Sequence, residues 1–416
     1  MGNFNSELLP LYDEASFVSE AVNILNAPHD RLYLLSVAIE DLDMLDELYG
    51  ISVSEAISER TASILTDYFI GKIPMTRMNN GRFAILMDSD QICQNDILNF
   101  LNGFHEASSP YRISIHIGIA SANSSDRDFD SLLKKATIAV DNDLNKSGNS
   151  YSVYSDDLLN EHENRKRVLH EVEDALDGEQ FSIFFQPFFD GSENILGAES
   201  LVRWVHPTDG VLTPCSFISI LEEENLIYIV DRYVWELVMS QLADWKKTPF
   251  ADFFLAVNIS EKDFFYLDIY SILTELAGSY DIDPSKLVLE ITEDTYSYEA
   301  NRHTVDKLKQ FGFKIAIDNF GGSHSSFMGM KNIDADFIKI DTGFIRVLSE
   351  DSKNRIILSA VIDVCKGFDI KVAAEGIETE EQLGFLKEKN IYSYQGYYFD
   401  KPMLLEELEA KYADVV

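Results

Sequence analysis

Polar residues close a series of short apolar runs in this 416-residue chain. Glu199 follows Ile195-Leu-Gly-Ala, Asn258 lies in Ala256-Val-Asn-Ile-Ser, Glu290 lies in Leu289-Glu-Ile-Thr-Glu293, and Asp318 follows Lys314-Ile-Ala-Ile. Lys339 lies in Asp336-Phe-Ile-Lys-Ile-Asp341, Glu375 follows Val372-Ala-Ala, and Gln395 precedes Gly396. Glu199, Asn258, Glu290 and Asp318 are hard oxygen donors, which suit magnesium or manganese rather than zinc. One acidic residue after a strand is ordinarily a loop residue or a helix cap. A series of such strand ends predicts one shared site.

Alternating strands and helices must position these residues. Apolar runs at Phe181–Phe189, Ile195–Val205, Phe253–Ile259, Leu287–Ile291, Lys314–Ile317, Asp336–Ile340, Lys371–Ala374 and Tyr394–Tyr398 read as strands with helices between them. That pattern predicts a (β/α)8 TIM-like barrel, whose chemistry belongs at the C-terminal ends of its strands. Thr213-Pro214 predicts a helix N-cap, Thr379-Glu-Glu-Gln382 a capping box, and Gly312 the end of a helix. Upstream, strands at Leu32–Ile39, Arg82–Met87, Tyr111–Ala120 and Tyr151–Tyr154, with helices at Ile51–Phe69 and Leu132–Leu144, predict a separate α/β domain. The fold class is α/β, with domains at residues 1–157 and 158–416, the second opening on a linking helix.

With 34 Lys and Arg against 71 Asp and Glu, the formal charge of −37 repels nucleic acid and anionic lipid. An anionic ligand would need local cations. Cys93, Cys215 and Cys365 form no CxxC pair and suggest a reducing, cytoplasmic setting. No apolar run reaches the ~18 residues of a membrane span, and no signal peptide is expected. Gly2 and Ser6 fit only a permissive myristoylation pattern.

From about residue 162 onward the chain resembles the EAL family of cyclic di-GMP phosphodiesterases. The resemblance rests on Gln186-Pro187, Glu199-Ser200-Leu201, Arg203-Trp204-Val-His206-Pro207, Asn258-Ile-Ser260, Leu289-Glu-Ile-Thr-Glu293, Lys339-Ile-Asp341, Ala374-Glu-Gly-Ile-Glu378 and Gln395-Gly-Tyr397. It implies a barrel that binds two Mg²⁺ or Mn²⁺ ions and hydrolyses cyclic di-GMP to linear pGpG. By the same resemblance Glu199, Asn258, Glu290 and Asp318 hold the first metal, and Asp318 bridges to the second. Lys339 and Glu375 position and deprotonate the water, Arg203 binds phosphate, and Gln186 and Gln395 belong to the substrate site. Glu293, Asp341 and Glu378 match loop-anchoring acids. The resemblance also implies a homodimer through the EAL domain.

The family's Asp-Asp-Phe-Gly-Thr-Gly-Tyr loop reads Asp318-Asn319-Phe320-Gly321-Gly322-Ser323-His324. Asn319 replaces a ligand of the second metal with an uncharged amide. His324 reads as a replacement ligand, a proton shuttle or a solvated loop residue. Trp204, Tyr397 and Tyr398 read as base-stacking or packing residues, and His206 as structural.

Residues 1–157 resemble a GGDEF domain, through Arg77-Met-Asn79-Asn80-Gly81-Arg82-Phe83-Ala-Ile-Leu86, Ile113-Ser-Ile-His-Ile-Gly118-Ile-Ala120 and Lys146-Ser-Gly148-Asn149. Two signature glycines are lost, Arg82 reverses a metal-binding charge, Ala38 and Ile39 replace an aspartate position, and Ile70 and Ile73 fall where an inhibitory Arg-x-x-Asp would stand. A scaffold or regulator without cyclase activity is expected. Three functions follow: a phosphodiesterase weakened at Asn319, a cyclic di-GMP receptor that does not hydrolyse it, or an interaction module that binds a protein partner and no nucleotide.

Overall fold

The computed structural model describes residues 11–29, 31–69, 74–78, 81–88, 94–108, 113–123, 126–144, 148–321, 333–349 and 352–413. Gly2, Ser6, Ile70, Ile73, Asn79, Asn80, Cys93, Lys146, Gly322, Ser323 and His324 lie outside them. The chain divides into two compact units after Lys166.

The first unit is built on β1 (Arg31–Ile39), β2 (Met75–Arg77), β3 (Phe83–Asp88), β4 (Ile115–Asn123) and β5 (Ser150–Val153). They form a sheet in the order β2-β3-β1-β4-β5, in which only β4 and β5 pair in parallel. The two-residue period of a strand is visible in β1. Leu35, Val37 and Ile39 join one apolar cluster, and Leu32 and Leu34 join another. Gly118 permits close helix packing, since a Cβ there would stand 2.1 Å from the Ala136 carbonyl oxygen.

The second unit is a barrel of eight strands: β6 (Phe181–Phe189), β7 (Ile195–His206), β9 (Phe254–Ile259), β10 (Leu287–Thr292), β11 (Lys314–Phe320), β12 (Phe337–Ile340), β13 (Lys371–Ala374) and β14 (Ser393–Tyr394), with β8 (Gly210–Leu212) hairpinned onto β7. Two expectations are corrected in the strands. β6 runs antiparallel to both β7 and β14, so the first two strands form a hairpin with no helix between them. Its turn is fixed by Asp190, whose Oδ1 accepts from the Ser192 and Asn194 amides at 2.8 and 2.9 Å. The last strand is only two residues long, because Gly396 at φ +155° turns the chain and its carbonyl accepts from the Phe399 and Asp400 amides.

Thr213 takes the N-cap position with Pro214 in the first turn, as expected, but its side chain makes no capping bond. A 3-10 turn spans Pro214–Ser216, and Phe217 leaves helical geometry at φ −142° to bury its ring against Phe181 and Trp204. The Thr379–Gln382 capping box forms, and Gly312 closes a helix at φ +127°. No helix among the described residues is long and apolar enough to cross a membrane.

Candidate active site at the barrel mouth

The strand period puts the polar residues above an apolar floor. Phe188, Ala256, Val288 and Ala316, with Phe254 and Phe337, pack together inside the barrel. Two residues beyond Ala256, Val288, Ala316 and Phe337 come Asn258, Glu290, Asp318 and Lys339. A two-residue step keeps a side chain on the same face of its strand, so each inward apolar residue is followed by an inward polar one. The register supports this: Glu290 is level with Asn258 and Ala316, and Lys339 with Ala373.

The Lys339 ammonium occupies the centre. Its Nζ stands 2.6 Å from Glu290 Oε2, 3.5 Å from Glu199 Oε2 and 3.6 Å from Asp318 Oδ1, and it contacts Glu375 Oε1. Four carboxylates from β7, β10, β11 and the end of β13 thus surround one cation. Lys339 and Glu290 are both 2% exposed. Burial opposes the charge on Lys339, but Asp318, Glu199 and Glu290 outweigh it and hold the ammonium above its ordinary range. Burial pushes Glu290 up to about 8; Lys339 pulls it down, while Glu199 and Asp318 push it further up.

A β-bulge aims the Asp318 corner. The β11–β12 register slips between Ile317 and Phe320, and Asn319 adopts the left-handed conformation at φ +53°. Its Nδ2 donates to Asp318 Oδ2 at 3.1 Å, a bond that an aspartate carboxylate could not make. Asp318 Oδ1 is buried and accepts no hydrogen bond. Among the described residues no group of three His, Cys, Asp or Glu side chains stands ready to hold a metal. The donors are nevertheless all oxygen, carry more negative charge than Lys339 offsets, and include Asp318 Oδ1, which accepts no hydrogen bond among the described residues. Their chemistry therefore fits a hard divalent cation.

The remaining expected residues are spread around this centre. Gln395, 2% exposed, donates through Nε2 to the Gln186 carbonyl at 3.2 Å, and Gln186 Nε2 reaches the Asp400 carbonyl at 3.4 Å. Arg203 is half-buried, lies over the Phe184 ring at 5.4 Å, donates to its neighbour's carbonyl and pairs with no carboxylate among the described residues. Asn258 is exposed at the end of β9. Glu293 opens a short helix, Asp341 caps another by accepting from the Gly343 amide at 2.7 Å, and Glu378 is exposed. Trp204 is core, its indole donating to Gln180 at 3.0 Å, and His206 pairs with Glu171 at 2.8 Å. Tyr397 and Tyr398 are exposed.

Beside this centre lies a cavity of about 260 Å³ that sequence reasoning missed. Leu201, Pro214, Ile218 and Ile227 give it apolar walls, while Glu222 and Asp231 supply carboxyls. The Ser200 hydroxyl, buried without a hydrogen-bond partner, belongs to the same lining. Glu222 and Asp231 are helical residues at unremarkable spacing. The available signal was an acid among apolar neighbours in Ile227-Tyr-Ile-Val-Asp231.

In the first unit Arg82 pairs with Asp141 at 2.6 Å, and Ala38 and Ile39 are buried at the end of β1.

Comparison with known proteins finds the EAL domain family matching residues 169–402. MucR of Pseudomonas aeruginosa, a bifunctional diguanylate cyclase/cyclic di-GMP phosphodiesterase, is 26% identical over 92% of this chain and 57% of its own length. PdeN of Escherichia coli, a probable cyclic di-GMP phosphodiesterase, is 31% identical over 58% of this chain and 47% of its own. The chain thus spans about half the length of these relatives. Among solved structures, the MucR phosphodiesterase in complex with c-di-GMP superposes with a TM-score of 0.56 at 33% identity, covering 58% of this chain and 99% of that one. An S helix-GGDEF-EAL chain of Vibrio cholerae LapD, bound to c-di-GMP, covers 94% of both chains with a TM-score of 0.55. At 19% identity that likeness is one of fold alone.

Proposed function

The chain belongs to the EAL domain family, and from that premise we propose that its barrel hydrolyses cyclic di-GMP to linear pGpG. The observation that carries this reading is the buried Lys339 ammonium ringed by Glu199, Glu290, Asp318 and Glu375, with Arg203 four residues beyond Glu199 on β7. Glu199, Asn258, Glu290 and Asp318 would hold one divalent cation, Mg²⁺ or Mn²⁺, and Asp318 with Asn319 a weaker second. Bound there, such cations supply Lewis-acid stabilisation to charge on the phosphodiester oxygens.

The chain's own residues divide the remaining work. Arg203 holds phosphate through a planar donor set that no carboxylate among the described residues occupies. Its neighbours keep Lys339 protonated in the metal-free site, and beside a bound cation it would position the water. Glu375 is then the acceptor for the proton of the attacking water. The water oxygen bonds to phosphorus, the bond to the 3′-oxygen breaks, and that oxygen takes up a proton. The cavity beside the centre takes a guanine, whose N1–H and N2–H₂ donors face the carboxyls of Glu222 and Asp231.

The first unit is read as a GGDEF-like scaffold without cyclase activity. Arg82, committed to Asp141, and the apolar Ala38 and Ile39 support this. A second reading, a cyclic di-GMP receptor, draws support from the Asn319–Asp318 hydrogen bond, which engages one of the carboxylate oxygens that would hold a cation. Chromatography of pGpG formed from cyclic di-GMP with Mg²⁺ or Mn²⁺ separates the two. Product that disappears in Glu199→Ala supports hydrolysis; saturable binding with no product supports the receptor.

A further inference from the structure

Outside the Lys339 cluster, two carboxyl groups meet where α8 (residues 227–245) packs on α9 (residues 261–266), as the helices are numbered in chain order with α7 at 218–223. Asp231 of α8 and Asp263 of α9 hydrogen-bond side chain to side chain. Asp263 is wholly buried and Asp231 is 8% exposed. Asp263 Oδ2 accepts from the Ser260 amide at 2.7 Å, whereas its Oδ1 is buried and meets no N–H or hydroxyl donor among the described residues. Its partner is therefore the Asp231 carboxyl, which donates only when it carries a proton. Two ionised carboxylates in one dry space repel and lose their hydration, and a proton between them removes both penalties.

The pair is tied to the barrel mouth. Asp263 and Ser260 form a reciprocal capping box at the end of β9. Trp235, one helical turn after Asp231, donates to the Asn258 carbonyl at 3.1 Å. The Asn258-Ile259-Ser260 segment is thus gripped from α8 and from α9, and Asp231 itself faces the cavity. Among the charged groups around the pair, Glu222 of α7 adds like charge, with Glu223 beside it, and Lys262 of α9 partly offsets Glu222. On the cavity wall Ser200 of β7, Asn258 of β9 and Ser260 at the start of α9 are neutral.

We propose that Asp231 and Asp263 share one proton, and that this shared proton is a positioning device for the nucleotide, fixing the Asn258 strand end and leaving one negative charge behind the cavity wall, on Asp263. The role in nucleotide binding rests on reading the barrel mouth as a cyclic di-GMP site. Burial pushes Asp263 up to about 7 and Asp231 also upward, so the pair exchanges a proton with solvent around neutrality. On acidification the second proton neutralises the pair.

Asp263→Asn isolates the device. Its amide oxygen still accepts from Ser260, and its amide nitrogen donates to Asp231, copying the singly charged pair with no proton to lose. Thermal midpoints of the full chain in EDTA, from about pH 5 to 8, test the proton without ligand. A carboxyl whose pKa rises on folding stabilises most below its unfolded pKa and loses that stability as pH rises through the folded value. The midpoint of Asp263→Asn should therefore gain on the wild type as pH rises, while Asp263→Ala, which loses the cap, stays below both. A constant gap between Asp263→Asn and the wild type overturns the shared proton.

The positioning role is read from KM against kcat. Wild-type KM for cyclic di-GMP should rise several-fold between about pH 8 and 6, Asp263→Asn should stay flat, and the kcat profiles should coincide. Identical KM profiles overturn the positioning role. If the wild type neither turns over nor binds cyclic di-GMP at any pH, the functional reading fails, and the midpoint series still decides the shared proton.

Discussion

Replacing Asn319 with Asp restores the second carboxylate at the bulge and tests whether this residue limits the site. In the metal-free protein the change removes the Nδ2–Asp318 hydrogen bond of 3.1 Å and sets two like charges side by side. A hydrogen bond to a charged group contributes about 1.5–3 kcal/mol, and the exposure of Asn319 places this one at the lower end. Repulsion across about 4 Å of water-like dielectric adds about 1 kcal/mol. The φ of +53° penalises Asp little more than Asn, since both tolerate that region. The sum, about 2.5 kcal/mol, lowers the melting midpoint of a unit this size by about 5–10 °C. A divalent cation reverses the sign, because the new carboxylate becomes a ligand. Melting in EDTA and in saturating Mn²⁺, with parallel pGpG chromatography, should show Asn319→Asp less stable without metal, more strongly stabilised by it, and about 10-fold or more faster. Equal midpoints in EDTA, unchanged metal stabilisation and unchanged turnover together would refute the reasoning.

Lys339→Met leaves four carboxylates without their shared cation, which costs about 3–5 kcal/mol by chemical denaturation and abolishes turnover; a stable, active variant would contradict the central placement of the ammonium. Glu290, raised to about 8, binds protons more tightly folded than unfolded, so metal-free stability should fall as pH rises from about 5 to 8. Mn²⁺ should flatten that slope, and calorimetry across the range would show whether it does. At Gly376, φ is +67° and a Cβ would stand 2.5 Å from Thr342 Cγ2. Gly376→Ala should thus cost about 1–2 kcal/mol and lower kcat by displacing the preceding Glu375, whereas wild-type kcat would show that Glu375 is held by other means. Arg203→Ala should raise KM for cyclic di-GMP more than it lowers kcat, as steady-state kinetics would reveal.

The sequence alone determined the polar residues of the mouth and the strands that carry them. Their order is a local property: an apolar strand of period two, ended by an inward polar group, is written in four to six neighbouring residues. The capping box at Thr379 and the stop at Gly312 are equally local, and both formed as read. Packing decided what neighbouring residues do not encode. Phe217 broke the helix expected after Thr213 because its ring is worth more in the core with Phe181 and Trp204 than in continued helix. The antiparallel β6 is a matter of connection length, since residues 190–194 are too few for the crossover that a parallel neighbour needs. Lys339 stands among carboxylates drawn from β7, β10, β11 and β13, and its charge state is set by distances that no spacing reveals. Asn319 was legible as a substitution, but its bond to Asp318 depends on the bulge against β12. Asp231 and Asp263, 32 residues apart, meet only because α8 packs on α9, and burial there turns two ordinary surface-type acids into a pair that must share a proton.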